Sequence, residues 1–400
     1  MWAEFHEKGK LPQPIRGNTG ASQEGPHNTP IDRQNPDMLA PPSTDHGTVP
    51  NAAWPFALSH NRLQTGGWAR QQNVKVLPVA TEMAAVNMRL EGAIRELHWH
   101  QSAEWAYIMK GSFRVGAVDE EGRNQIGDLE PGDVWYFPSG VPHYIQALSK
   151  GGGEFLLVFD DGNFSEDSTL LLTDFTAHIP REVVVKNFPG LTNDDFNKVP
   201  GEQLYIFPSK APGDDDEQVE NPAGEVPSTF IFPWSKEPVK QLNGGTVKVL
   251  DTRKFPASKT ISAALVTVEP GAMRELHWHP LSDEWNYFLT GSARITVFAG
   301  DSNARTYNFQ AGSVGYLQKS VGHYVENIGN DTLTFLEVFK SPRYSDISLS
   351  NWLALTPPKV VQAHLGFSDA TMKKLEQFKS KDHQVVKRSG PMVAGKRSWA

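Results

Sequence analysis

Six of the chain's 13 histidines fall into one repeated pattern. His98 and His100 are followed by Glu104 and then His143; His277 and His279 are followed by Glu284 and then His323. In a strand, residues two apart share a face, so each His-x-His pair projects two imidazoles together. A carboxylate just past a turn and a third imidazole further on complete three nitrogens and one oxygen. That set suits a divalent Mn, Fe, Co, Ni or Zn ion and leaves two octahedral positions open, for a substrate and another small ligand. There is no cysteine, which excludes disulfides, thiolate ligands and cysteine nucleophiles and leaves His and carboxylates to hold any transition metal. A single His-x-His arises readily on a surface; two complete sets in register do not.

Other residues near these sets could do chemistry. Arg95 and Arg274 each stand three positions before the first histidine. Three positions along a straight strand lead to the opposite face, so each arginine joins the ligand row only if the strand bends. Inside, it would bind a small carboxylate held on the metal; outside, it is an ordinary surface arginine. The halves then diverge. FLLVF (155–159) aligns with FLEVF (335–339), so Glu337 stands in an apolar strand where the first half has Leu157. A carboxylate there must be paired, hydrogen-bonded or functional, and a role near the second metal is expected. After Phe159 the first half carries DDGNFSEDSTLLL, three residues longer than its counterpart. Its Ser165-Glu166-Asp167-Ser168-Thr169 run forms either a lid able to close over a site or, on composition alone, a plain surface loop.

The elements that position these residues are legible as a duplication. GAIRELHWHQSAEWAYIMKG (92–111) matches GAMRELHWHPLSDEWNYFLTG (271–291). The offset is 179 at His98 and His277, 180 from Glu104 and Glu284 through His143 and His323, and 177 at Pro180 and Pro357. Each copy holds short alternating or apolar runs punctuated by Gly, Pro, Asp and Asn, which predicts strands. Lys110-Gly111 and Thr290-Gly291 sit where hairpin turns belong. Many short strands with close turns predict a mainly β chain of two tandem jelly-roll barrels. Short helical segments follow each barrel, at about 174–188 and 348–379, with Ser368 as a cap. Residues 1–50 are expected to be an extended arm on the other domain or a neighbouring subunit, the alternative on composition alone being a disordered tail. The first barrel is placed at 51–207, a polar linker at 208–228, the second barrel at 229–385 and a tail at 386–400.

Composition narrows the partners. A net charge of -8 gives no reason to expect nucleic acid or an anionic membrane. No apolar run approaches the roughly 18 residues needed to span a bilayer. The opening MWAEFHEKGKLPQP has no apolar core of a signal peptide, so a cytoplasmic location is expected unless a signal has been removed.

Family resemblance enters at the ligands. The pattern G-x5-H-x-H-x3-E-x6-G from Gly92 to Gly111, and with x4 from Gly271 to Gly291, resembles the first cupin motif. The second motif fits Gly132, Pro138, Gly140 and His143 but ends in Ala147. In the other half it fits Gly312, His323 and Asn327, with Gln318 and Ser320 in place of Pro and Gly. Longer strings, including QPIRGNTGA, DRQNPDMLAPPSTDHGTV, FDDGNFSEDST and GHYVENIG, resemble the bacterial oxalate decarboxylases to about residue 387. That resemblance implies a bicupin with two manganese ions per chain, dioxygen as co-catalyst, oxalate as substrate, and formate and carbon dioxide as products. It implies a homo-oligomer, a trimer or a hexamer of stacked trimers. Glu166 matches the proton donor of the family's lid, S-E-N-S-T. Arg95 would offset charge on the substrate, while Arg274 and Glu337 would serve the second site. Asp167 replaces the family's Asn and is expected to raise the pKa of Glu166 by like-charge repulsion and to repel an anionic substrate. Two rivals are an oxalate oxidase, which yields hydrogen peroxide and lacks the lid donor, and a storage bicupin, which has usually lost the ligands.

Overall fold

Alternating apolar side chains close each half into two facing antiparallel sheets. The computed structural model describes residues 42, 44–213, 219–380, 382 and 384–387. In the first half a seven-stranded sheet contains Ala84–Leu90, Glu104–Lys110, Val134–Phe137 and Gly153–Phe159. It faces a six-stranded sheet built on Ala93–Trp99, Phe113–Val118, Asn124–Leu129 and His143–Ala147. The second half repeats the plan, with Glu284–Thr290 and Leu333–Phe339 in one sheet and Ala272–Trp278 and His323–Asn327 in the other. The hairpin after Glu104–Lys110 turns at Gly111, whose φ is 76°. A Cβ there would meet the Gly152 carbonyl oxygen at 2.5 Å, so only glycine fits the turn. Helices Leu172–Ala177 and Arg181–Lys186 follow the first barrel; Leu349–Leu355, Pro358–Leu365 and Asp369–Leu375 follow the second. The Ser368 hydroxyl caps the last of these by accepting from the Thr371 amide at 3.1 Å. None of the helices among the described residues is long and apolar enough to cross a membrane.

The barrels are not laid end to end. Ala53–Pro55, which the sequence reading groups with the first barrel, pairs with Ser313–Gly315 of the second. Ile231–Phe232 in turn pairs with Val134 and Trp135 of the first. Each barrel's seven-stranded sheet therefore ends on a strand from the chain that leads into the other. The described end of the N-terminal arm also lies on the second barrel: Asp45 accepts from the Thr306 amide at 2.9 Å and hydroxyl at 2.7 Å, and His46 bridges to Ala304. Residues 1–41 and 43 of that arm, and the tail from 388, lie outside the described residues.

One apolar cluster runs from barrel to barrel. It joins Trp105, Tyr107, Trp234 and Phe255 to Trp285, Tyr316, Leu336 and Val338, all buried. The indole N–H of Trp285 crosses the boundary to the Gln72 side chain at 2.8 Å. A register shift also falls at the same place in both halves. His143 is opposite His98 and Ile145 is opposite Arg95, so two residues on one strand span three on the other. The pairs His323–His277 and Val325–Arg274 repeat the shift. Such a bulge bends the strand and re-aims its side chains.

Because the cluster is shared, Trp285→Ala is expected to cost about 3–5 kcal/mol, the usual range for a buried tryptophan. It should lower a single unfolding transition for the whole chain. Calorimetry showing two separate transitions, only one of them displaced, would contradict a common core.

Candidate metal centres

The bulge answers the question left open by the spacing: Arg95 and Arg274 are turned inside, each fully buried. His98 and His100 lie at the end of Ala93–Trp99 and just beyond it, Glu104 opens the next strand, and His143 opens the strand paired beside His98. Their ligand atoms, and those of His277, His279, Glu284 and His323, lie within 4.8 Å of one another in each set. All eight residues are buried.

Fixed partners aim the rings. The Nδ1 of His143 bonds the Val141 carbonyl at 2.8 Å, that of His277 the Glu275 carbonyl at 2.6 Å, that of His279 the Ser345 carbonyl at 2.8 Å and that of His323 the Val321 carbonyl at 3.0 Å. His98 Nδ1 bonds the Glu96 carbonyl in the same way. A proton held on Nδ1 leaves Nε2 as a lone pair pointing inward. The Trp135 indole donates to Glu104 Oε1 at 2.7 Å and frees the other oxygen. His100 Nε2, His143 Nε2 and Glu104 Oε2 are buried with no hydrogen-bond partner, as are His323 Nε2 and both oxygens of Glu284. Although Glu284 Oε2 is 3.1 Å from His279 Nε2 and 3.0 Å from His323 Nε2, neither approach satisfies Glu284 Oε2 or His323 Nε2 as a hydrogen bond. In the second set His277 Nε2 and His279 Nε2 contact each other at 3.1 Å; the buried atoms that remain unpartnered in each set are costly unless a cation sits among them, so both sets fit a metal ion.

Electrostatics favour the ligand form. Burial, then Arg95, pushes His98 well below its ordinary value, and burial brings His100 down to about 3. Burial and Arg274 do the same to His277. At His279 burial is outweighed by Glu284, which draws the ring upward; a proton and a metal would compete for that nitrogen. Burial opposes ionisation of Glu104, yet His143, His100 and the Trp135 indole hold it below the usual carboxylate range.

The two arginines then differ in what they hold. Arg95 Nη2 is 3.1 Å from Glu166 Oε2, and the Tyr205 hydroxyl donates to the same oxygen at 2.8 Å. Glu166 opens a one-turn helix, Glu166–Ser168, and is only 5 % exposed. The Gln71 side chain accepts from its amide at 2.9 Å. Its other oxygen, Oε1, is buried without a partner. Phe164 stacks on Phe159 with ring centroids 3.5 Å apart, and both rings stand edge-on to His100. The loop therefore packs down over the first ligand set. Arg274 instead is clamped from the barrel and its close connections. It reaches Asp346 at 2.8 Å, the Tyr344 hydroxyl at 3.0 Å and Glu337 at 3.4 Å. Burial pushes Glu337 up to about 7, against the pull of Arg274 and with Glu284 adding to the rise.

Asp167 does not sit where the like-charge expectation needs it. Its side chain is 75 % exposed and lies 3.5 Å from Arg62 Nη1, so the helical turn sends the two acids to different surroundings. Tyr205, Gln71, Phe164, Tyr344 and Asp346 were not singled out by spacing. The structure continues the repeat there: Arg95 bonds the Tyr205 carbonyl as Arg274 bonds that of Gln384, so Tyr205 stands at a position where the halves differ.

Two jelly-roll barrels in one chain, each with a buried His-His-Glu-His set, define a bicupin. The cupin family model matches residues 58–191 and 235–373. The oxalate decarboxylase of Bacillus subtilis is 54% identical over 380 residues, which is 94% of this chain and 97% of that one. A probable oxalate decarboxylase of Arthroderma benhamiae is 41% identical over 389 residues, 95% of this chain and 94% of that one. A solved Bacillus subtilis structure, studied for the Mn(II) centres of oxalate decarboxylase, superposes with a TM-score of 0.90 at 54% identity, covering 95% of this chain and 100% of that one. The chain belongs to the oxalate decarboxylase family of cupins.

Fully loaded protein is expected to hold two metal ions per chain. His100→Ala and His279→Ala should each remove about one equivalent, because a three-ligand remnant binds more weakly. Elemental analysis finding a single ion in the loaded wild type would rule out one of the two sites.

Proposed function

We propose that this chain is a manganese-dependent oxalate decarboxylase, converting oxalate and one proton to formate and carbon dioxide. The observation that carries the reading is Glu166, a carboxylate on the loop that packs down there, hydrogen-bonded at Arg95 beside the first ligand set. Similarity to the Bacillus subtilis enzyme supports both manganese and oxalate. His98, His100, Glu104 and His143 would hold one ion and His277, His279, Glu284 and His323 the other. When bound, manganese with dioxygen supplies the reversible one-electron chemistry that loosens the bond between two carboxylate carbons.

The chain's own residues do the rest. Arg95 pairs with the negative charge of a bound oxalate and offsets charge as it redistributes. Phe164 and Phe159 exclude water once the lid is shut. Glu166 accepts the proton of the incoming acid on its carboxylate and returns it to carbon after carbon dioxide leaves. Arg95 cannot replace it, since a guanidinium holds its protons too tightly. Without that proton the remaining one-carbon fragment is diverted to dioxygen. The balance is then oxalate, dioxygen and two protons giving two carbon dioxide and hydrogen peroxide, the oxidase outcome.

In this reading turnover belongs to the first site. Arg274 and Glu337 also stand beside a ligand set, but Asp346, Tyr344 and Glu337 already occupy the guanidinium. The second ion then mainly stabilises its barrel. The reading includes a homo-oligomer, supported by Phe175, Trp352 and Leu355, which are exposed on the helical segments.

Glu166→Gln keeps the shape and removes the titratable proton. Formate output is expected to fall by a factor on the order of 10² to 10⁴, and peroxide per oxalate consumed to rise. Unchanged formate would refute the role of Glu166. Arg95→Lys should lose more activity than Arg274→Lys when manganese content is matched. The reverse order would move turnover to the second site.

A further inference from the structure

Two guanidinium groups lie against the Tyr205 ring. Arg95 Cζ is 4.2 Å from its centroid and Arg62 Cζ is 3.6 Å from it. Each arginine takes one of two consecutive lid carboxylates. Arg95 holds Glu166 at 3.1 Å in the buried interior, and Arg62 holds Asp167 at 3.5 Å at the surface. Arg62 is itself steadied by Gln203, whose side-chain oxygen accepts from Nη2 at 2.8 Å. It lies on Asn61–Gln64, the hairpin partner of Gly67–Gln72. From that second strand Gln71 holds the Glu166 amide at 2.9 Å and the Ser165 hydroxyl at 3.2 Å. One hairpin thus grips the lid twice. Asp167 also borders a small cavity whose wall carries Arg70 and Lys75, so its surroundings are cationic.

We propose that Arg62 is a positioning residue for the lid: its ion pair with Asp167 latches residues 165–169 shut from the outside and keeps Glu166 at Arg95. The inference rests on the reading of Glu166 as the proton donor. Strength and location suit the task. A lid must open at every turnover, and a solvent-exposed pair shifts a closing equilibrium only by up to about five-fold. It is also screened by salt, whereas the buried Arg95–Glu166 pair is screened much less. When oxalate arrives and competes with Glu166 for Arg95, the outer pair still holds the loop nearby. The latch therefore acts on product choice more than on substrate affinity.

The test uses the manganese-loaded enzyme with Arg62→Gln, Arg62→Lys, Asp167→Asn and the Arg62→Gln/Asp167→Asn double variant. Two quantities are read. One is hydrogen–deuterium exchange of residues 165–169 in the resting protein; the other is peroxide formed per formate. Each is measured from about 20 to about 300 mM salt, a range over which the Debye length shortens several-fold. In the wild type, salt should speed exchange and raise the peroxide share. Arg62→Gln and Asp167→Asn should each start two- to five-fold higher in both readouts and lose the salt response. The double variant should be no worse than either single one, and Arg62→Lys, which keeps the charge, should stay near wild type. An Asp167→Asn protein that matches wild type in exchange, peroxide share and salt response overturns the latch, whatever Arg62→Gln does. Glu166→Gln run in parallel separates the two readings: unchanged formate there refutes the proton donor, while the exchange data still judge the latch.

Discussion

Buried lone pairs without donors set the terms for this molecule. In each barrel three imidazoles and a carboxylate converge where water is excluded, and several of their inward atoms have no protein partner. Such a cluster is unfavourable by itself and becomes favourable around a cation. Much of the local architecture serves that arrangement. Backbone carbonyls take the Nδ1 protons, an indole takes one oxygen of Glu104, and paired strands bring His143 opposite His98. The same bulge that lets the ligand strand bend also swings the arginine inward. A change in the bulge would therefore disturb both the metal ligands and the charge that faces them.

The two halves show how one plan diverges through its second layer. The eight candidate ligands occupy matching positions, and the arginines match as well. What differs is the carboxylate that each arginine meets. In the first half it comes from a short helical turn in an inserted loop. In the second it comes from Glu337 within a sheet strand and from Asp346 in the connection that follows. Arg95 thus meets a carboxylate carried on a loop, whereas Arg274 meets carboxylates carried on the barrel wall and its following connection. Leu157 occupies the position of Glu337 in the first half, so the wall there offers Arg95 no counterpart of that acid.

The ligand sets were legible because strand periodicity and an internal repeat are strong, local signals. His98 and His100 had to share a face, and their copies fixed the register of the rest. Arg95 was ambiguous for a physical reason: a bulge adds one residue to one strand and leaves little trace in composition. Glu337 was found as a misfit in an apolar run, and its burial agrees with that reading. Tyr205 reaches Arg95 only because Ile206–Pro208 returns across a long connection to pair with Ala93–Trp99. A strand of three residues is too short to carry a period. The outward course of Asp167 was equally hidden, since a single helical turn in a loop decides which way adjacent acids point. For Ala53–Pro55 and Ile231–Phe232, shortness again concealed the partner.

Those two short strands bear on how the duplicated gene could be divided. Each copy encodes a whole ligand set and a whole six-stranded sheet, yet neither encodes the whole of its seven-stranded sheet. Separating the polypeptide between the halves would send Ala53–Pro55 away from Ser313–Leu317 and Ile231–Phe232 away from Val134–Phe137. Both fragments would then present an unpaired sheet edge and an apolar face, the features that drive strands to add to foreign chains. The unit that repeats in the sequence is therefore not a unit whose sheets close by themselves.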